Sequence, residues 1–482
     1  MRQRLFTDEN KKWWTLAAVS VGLFMIMLDN TVVNVALPSM QKSLHMTYSE
    51  LEWVVAAYAL TFAAFMLTGG KLADLLGRRL IFMVGLVIFT GASLACGLAP
   101  NGGFLIGARI VQGVGGALMN PATLSIITAT FPPRQRGAAI GIWAGVSALA
   151  LAIGPLVGGL LTEHANWNWI FFINVPIGLL GLVASPLLIQ ESRDTSHEQR
   201  PDIPGLVTSG IGLFALTYGF IEANNYGWTS GRIIGAFILA AVALAVFIVL
   251  ERHQRLPMLD LSLFRDRTFA GANLAMLLIG LAMFGVFLFV SLYMQQVLRF
   301  SPVEAGATFL PMTLLIIVLA PQAGRISDRI GSRWLVGGGM TLLSASLLWY
   351  TTLGTGATFW SLLPALLLGG VGMAATMTPV TAAAMSSVPI DKAGVGSAVL
   401  NSMRQVGGSL GIGVMGAIVA ATRADSLRSG HTAPEAFVAG FHDALRVAAL
   451  IAFAGAIVAT AMIRKTEHAD QTTERELAAE AA

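Results

Sequence analysis

Fourteen runs of about 20 mostly apolar residues follow one another along the chain, and this rhythm constrains its fold more than any other feature. A helix needs roughly 20 such residues to cross the hydrocarbon of a bilayer. Only helices and closed barrels satisfy their own backbone polar groups there. The runs lie at approximately 14–36, 51–70, 80–99, 104–130, 137–161, 169–190, 203–222, 233–250, 269–293, 303–322, 334–353, 358–383, 394–421 and 436–463. Only 12% of the 482 residues are charged, against about 25% in a soluble globular chain. So little charge does not cover a soluble surface of this size, and lipid must cover much of it. The expected fold class is all-α integral membrane with 14 transmembrane helices.

The loop charges orient the chain. With the N-terminus in the cytoplasm, 22 of the 30 Lys and Arg fall in inside segments and 5 outside. That asymmetry matches the positive-inside rule and predicts an even number of spans with both termini cytoplasmic. The net charge of +4 is spread over these short loops, so nucleic acid is not an expected partner. The basic start runs into a stretch too long for a signal peptide and containing Asp29, which reads as a retained first helix. The single cysteine, Cys96, allows neither an intrachain disulfide nor a metal site, and reads as a small buried hydrophobe.

An internal repeat divides the chain. Gly70-Lys71-Leu72-Ala73-Asp74-Leu75-Leu76-Gly77-Arg78-Arg79 returns at an offset of 254 as Gly324-Arg325-Ile326-Ser327-Asp328-Arg329-Ile330-Gly331-Ser332-Arg333. Gly113, Val114, Gly115, Ala117, Pro132 and Gly137 return 257 residues later as Gly370, Val371, Gly372, Ala374, Pro389 and Gly394. Two pseudo-symmetric six-helix bundles with a central extra helix pair account for this, an arrangement typical of transporters. The expected divisions are a first bundle at 1–190, a cytoplasmic linker at 191–202, helices 7 and 8 at 203–252, a second bundle at 253–465 and a tail at 466–482. No extramembrane segment is large enough for a soluble enzyme core, and no Walker-type phosphate loop is present.

Charges inside the runs carry the chemistry. Asp29 lies deep in helix 1, in LFMIMLDNTVVNVALP. An acid there needs a partner, a watery cavity or a proton. It reads as a proton-coupling or cation-binding site, or as a polar contact with Asn30, Thr31 or Asn34. Arg109 in helix 4 keeps its charge. It reads as the group that holds a carboxylate charged or competes with a proton for it, or as a donor to helix carbonyls. Its repeat partner is Leu366, so fold symmetry does not demand an arginine. Glu222 and Glu304 read as solvated helix-end charges, with Glu222 the alternative acid for a cationic substrate. Asn34, Gln112, Asn401, Arg404 and Gln405 are the polar candidates for a substrate pathway or for helix packing. Asp74 and Asp328 sit in basic loops, where a carboxylate pairs with arginines and a helix N-terminus. That pattern suits a latch or a static clamp. Helix 5 holds GVSALALAIGPLVGG, in which Gly154, Gly158 and Gly159 permit close helix approach and Pro155 bends the helix.

These motifs together resemble the major facilitator superfamily, and within it the 14-helix drug:proton antiporter family, over nearly the whole chain. Leu28 to Pro38 looks like that family's helix 1 motif, Gly70 to Arg79 its loop 2–3 motif and Arg109 to Ala117 its helix 4 motif. Gly154 to Gly159 looks like the antiporter motif, and Trp167 to Gly178 is similar to the start of helix 6. The resemblance implies alternating access driven by a proton gradient, with no bound cofactor. It implies proton coupling through Asp29 and Arg109, and gating through Gly70, Asp74, Gly77, Arg78, Arg79, Asp328 and Arg333. It implies an antiport seal at Gly154, Pro155, Gly158 and Gly159. The expected protein is a multi-pass exporter of small amphiphilic drugs or antibiotics, cationic ones among them, a monomer in the plasma membrane; the alternatives are export of a native lipid, peptide or metabolite, or a membrane-embedded enzyme or sensor. Two departures stand out. Asn168 replaces a residue that is often basic in the family, and the later helices lack the extra acids of some multidrug members.

Overall fold

The computed structural model of the chain describes residues 8–193, 202–254, 257, 259–388 and 393–464. The expected tail at 466–482 and most of the expected linker lie outside the described residues.

Every regular element among the described residues is helical, and the spans number fourteen. They are α1 (Asp8–Leu44), α2 (Tyr48–Leu76), α3 (Arg78–Gly97), α4 (Gly102–Thr130), α5 (Pro133–His164) and α6 (Trp169–Leu188). Then come α7 (Ile203–Tyr226), α8 (Gly231–His253), α9 (Arg267–Val297), α10 (Pro302–Ile330), α11 (Ser332–Tyr350), α12 (Phe359–Ser386), α13 (Ala393–Arg428) and α14 (Ala433–Met462). Thirteen of these are long and apolar enough to cross a membrane. The fourteenth, α11, opens on Ser332 and Arg333 and carries three consecutive glycines and two serines, which dilute its apolar content.

Local chemistry sets the helix ends. Thr47 caps α2 in a reciprocal box with Glu50, and Ser301 and Thr432 do the same with Glu304 and Glu435. Gly77 (φ 125°) and Gly331 (φ 89°) make the equivalent turns at α2–α3 and α10–α11 in a backbone region that favours glycine. This conformation explains why the two loop glycines recur in the repeat.

The repeat in sequence is a repeat in packing. α1 packs on α5, α2 and α3 on α4, and α3 on α6; α9 packs on α13, α10 and α11 on α12, and α11 on α14 in the same pattern. The pair α7–α8 packs on itself, with α7 against α2 and α13. The outer surface is apolar: Leu180, Val183 and Leu187 on α6 are 71%, 69% and 72% exposed, as lipid-facing residues must be.

Two faces differ. The basic face carries the turns at Gly77 and Gly331 and the ends of α6 and α14. At the opposite face the bundles touch along α1–α9, α2–α13 and α5–α10. A π turn at Tyr293–Val297 swings two glutamines across the first seam. Gln295 donates to the Val35 carbonyl at 2.9 Å, and Gln296 donates to Gln41 at 2.8 Å and accepts from the Tyr48 hydroxyl at 2.8 Å. In the α5–α10 seam, Gly159 abuts the Pro302 carbonyl and Gly306 abuts that of Pro155. Toward the basic face one side of α5 stands bare. Gly141, Ile142, Ala144 and Gly145 are all exposed, while the opposite side of the helix packs on α4 through Trp143, which donates to Thr123 at 3.0 Å. The bundles are thus closed at one face and parted at the basic one.

Candidate functional site

The two charges that the sequence marks inside helices 1 and 4 meet in the interior of the first bundle. The Arg109 guanidinium donates through Nη1 to Asp29 Oδ2 and, at 2.7 Å, to Gln112 Oε1. Its Nε donates to the Val54 carbonyl of α2 at 3.0 Å. The Gln112 amide donates to Asp29 Oδ1 at 2.9 Å and to Ser93 Oγ of α3 at 2.7 Å. Asn174 of α6 donates to the same Ser93 oxygen at 3.2 Å. The guanidinium also lies 4.1 Å from the centroid of the Tyr58 ring, a cation–π contact. Five helices thus converge on one ion pair.

Asp29 and Arg109 are each 1% exposed and Gln112 is 0%. Of the partner, watery cavity or proton that such an acid needs, the partner is what this conformation supplies. That partner is not Asn30, Thr31 or Asn34. Asn30 and Asn34 instead donate back to carbonyls of their own helix. A buried pair with all its hydrogen bonds is tolerable, but removing one partner costs about 3–5 kcal/mol because a lone charge is left behind. The repeat position Leu366 is an ordinary buried leucine.

The residues of the first loop motif form a second cluster at the basic face. Asp74 Oδ1 accepts a hydrogen bond from Arg78 Nε at 2.9 Å and forms an ion pair with Arg78 Nη2 at 2.9 Å. Glu191, just beyond α6, accepts from the Arg79 and Leu80 backbone NH groups at 3.1 and 3.2 Å, capping α3. A Cβ on Gly77 would lie 2.7 Å from that carboxyl, so this glycine also makes room for the cap. Gly70 has only Pro121 near it, at 3.5 Å. In the second copy Arg333 lies 5.0 Å from the Trp334 ring. The Asp328 side chain lies outside what the structure describes.

The helix 5 glycines pack as their size predicts. Gly154 abuts Thr31, a Cβ on Gly158 would lie 2.6 Å from the Val32 carbonyl, and Gly159 with Pro155 forms the seam to α10. Glu222 is half-buried, accepting from Trp53 at 3.1 Å and Asn225 at 2.8 Å. It holds α7 to α2 rather than standing free in solvent. On α13, Asn401 donates to the Ser397 carbonyl, Gln405 is 2% exposed, and the Arg404 Nε is buried without a partner.

Several polar residues of these sites escaped sequence reasoning. Ser93, Asn174 and Tyr58 carry no charge to mark them. Glu52 did carry a signal, being an acid inside the second apolar run, yet it lies beside the capping Glu50 and passes for a helix-start charge. The structure buries it to 4% exposure.

Comparison with known proteins agrees with this architecture. The chain is 37% identical to the tetracenomycin C resistance and export protein of Streptomyces glaucescens, covering 86% of this chain and 77% of that one. It is 37% identical to a puromycin resistance protein of Streptomyces alboniger over 96% and 93% of the two chains. It is 36% identical to the multidrug resistance protein Stp of Mycobacterium tuberculosis over 84% and 76%. Among solved structures it shares the fold of a bacterial homologue of the lysosomal transporter Spinster in an inward-facing, unoccupied conformation (TM-score 0.65, 17% identity, 94% and 96% covered). It also shares that of the peptide-transporter-family member PepTSo (TM-score 0.68, 15% identity, 94% and 97% covered). The profile of the Major Facilitator Superfamily matches residues 19–412, and with fourteen helices arranged as two repeated bundles, this chain is a membrane transporter belonging to that superfamily.

Proposed function

We propose that the chain is a proton-driven exporter of amphiphilic drugs or antibiotics, working by alternating access between bundles at 1–190 and 253–465, with helices 203–252 as an added pair. The observation that carries the reading is the Asp29–Arg109 pair, sealed inside one bundle and absent from its repeat. A structural clamp would serve both bundles equally. A charge pair in one bundle suits a device that responds to a proton. The names of the relatives support the cargo class, and the loop charges support a cytoplasmic position for the basic, open face. Drug binds from that side, a proton reaches Asp29, Arg109 loses its partner, and the bundles rock.

Asp29→Asn is expected to fold normally and to abolish efflux, so that resistance of a pump-deficient bacterial host drops to that of the empty vector. Wild-type resistance from this variant, with substrate still driving proton movement in liposomes, would sink the reading.

A second reading is export of one native metabolite, with drug efflux incidental. The relative named for a single antibiotic favours it. A single compound that copurifies with the protein and outcompetes diverse drugs would decide for it.

A further inference from the structure

The seam between α2 and α13 holds an acid that the coupling site does not use. The Glu52 carboxyl packs on the bare backbone of Gly416, where a Cβ would overlap Oε1. Neither carboxyl oxygen has a hydrogen bond or ion pair among the described residues. Glu52 lines a cavity of about 240 Å³ with Tyr48, Phe289, Arg423 and Leu427 at the ends of α2, α9 and α13 away from the basic face. Leu427 is 42% exposed, so the cavity reaches that surface. A cavity of that size is large enough to admit water.

The charged and titratable groups around Glu52 leave it unmatched. On α7, Glu222 is a second acid, already engaged by Trp53 and Asn225. On α13, Arg423 lies 4.9 Å from the Tyr48 ring and forms no ion pair with Glu52. On α2 itself the Tyr48 hydroxyl donates to Gln296. The α9 wall of the cavity offers only Phe289. An ionised carboxylate without hydrogen bonds in such a seam is far costlier than the neutral acid.

We propose that Glu52 is a second proton-binding site. It carries a proton while α2 is closed on α13, taken from and returned to the aqueous phase at that face through the cavity, so that acid favours closure and alkali favours opening. The proposal deepens the reading of the chain as a proton-driven exporter and rests on it. The two sites differ in place: Asp29 lies within one bundle and Glu52 between two.

The seam can be watched directly. Full-length protein with Cys96→Ala, and with spin labels at Lys42→Cys and Ser429→Cys, is reconstituted in nanodiscs for pulsed electron–electron distance measurement. Between about pH 5 and about pH 9 the closed, short-distance population should fall at least roughly two-fold. Glu52→Gln should hold the short distance at both pH values, and Glu52→Asp should keep the response. Gly416→Ala, which leaves no room for Oε1, should give the long distance throughout. A pH response in Glu52→Gln equal to that of the parent, or none in the parent, overturns the proposal. Asp29→Asn should lose efflux yet keep the pH response of the seam. Retained efflux in that variant defeats the exporter reading, and the distances then still judge Glu52 separately.

Discussion

At Arg109 one guanidinium meets four partners carried on three helices: the Val54 carbonyl and the face of Tyr58 on α2, the Asp29 carboxylate on α1 and the Gln112 amide oxygen on α4. A lysine keeps the charge but is a point donor without the planar fork. Arg109→Lys therefore should abolish efflux while retaining the positive charge, and should lower stability by about 1–3 kcal/mol through the unsatisfied Val54 and Gln112 groups. Efflux assays and thermal unfolding in detergent check both effects, and wild-type efflux would mean that charge alone suffices. Asp29 and Arg109 were legible in the sequence because a charge in an apolar run is conspicuous. Their pairing was not, since the two lie 80 residues apart and only the packing of α1 on α4 unites them. Ser93 left no trace at all, because small polar residues are common in membrane helices, and Asn174 was visible only as one letter of the helix 6 motif, with nothing to mark its contact to Ser93. Glu52 was visible as a letter but not as a buried group: its burial comes from Gly416, more than three hundred residues downstream.

Helices were the most legible level, because length and apolarity suffice to define a span. Their true ends ran further, to Asp8–Leu44 for the run at 14–36, since helices continue past the hydrocarbon until a cap stops them. The π turn at Tyr293–Val297 had no sequence signal, whereas the break of α6 at Ile173 sits where Pro176 can neither bond nor tolerate the Phe172 carbonyl. Glycine shows the limit of pattern reading most clearly. Gly113 in α4 and Gly141 in α5 look alike in sequence, yet a Cβ on Gly113 would lie 2.7 Å from the Tyr58 carbonyl, while one on Gly141 meets nothing within 4 Å. Gly113→Ala should cost about 1–3 kcal/mol by forcing α2 from α4 and disturbing the floor beneath Arg109. Gly141→Ala should be neutral or gain about 0.5–1 kcal/mol of helix stability. Melting temperatures of the two variants, measured side by side, check the contrast. Equal effects would mean that α5 is covered near the basic face rather than bare.

For the whole molecule, the repeat foretold the two bundles, but it also hid how unequal they are. Packing was duplicated and charge was not: the same place holds Arg109 in one bundle and Leu366 in the other. The first bundle thus carries the ion pair, while the second supplies the surfaces that close on it, through the glutamines of α9, Gly306 of α10 and Gly416 of α13. Which way this assembly faces follows from physics outside the chain, namely the retention of Lys and Arg on the cytoplasmic side during insertion. Exposed positions at the two faces make the orientation testable. In a Cys96→Ala background, Lys42→Cys and Ser429→Cys should react with a membrane-impermeant maleimide in intact cells. Ser192→Cys, at the basic face beside the Gly77 turn, should react only after permeabilisation. Gly145→Cys, on the bare stretch of α5, should behave like Ser192→Cys and become protected when a transported drug is present. Labelling of Ser192→Cys in intact cells would invert the molecule, and the open cleft would then face outward, where an exporter releases its cargo rather than collecting it.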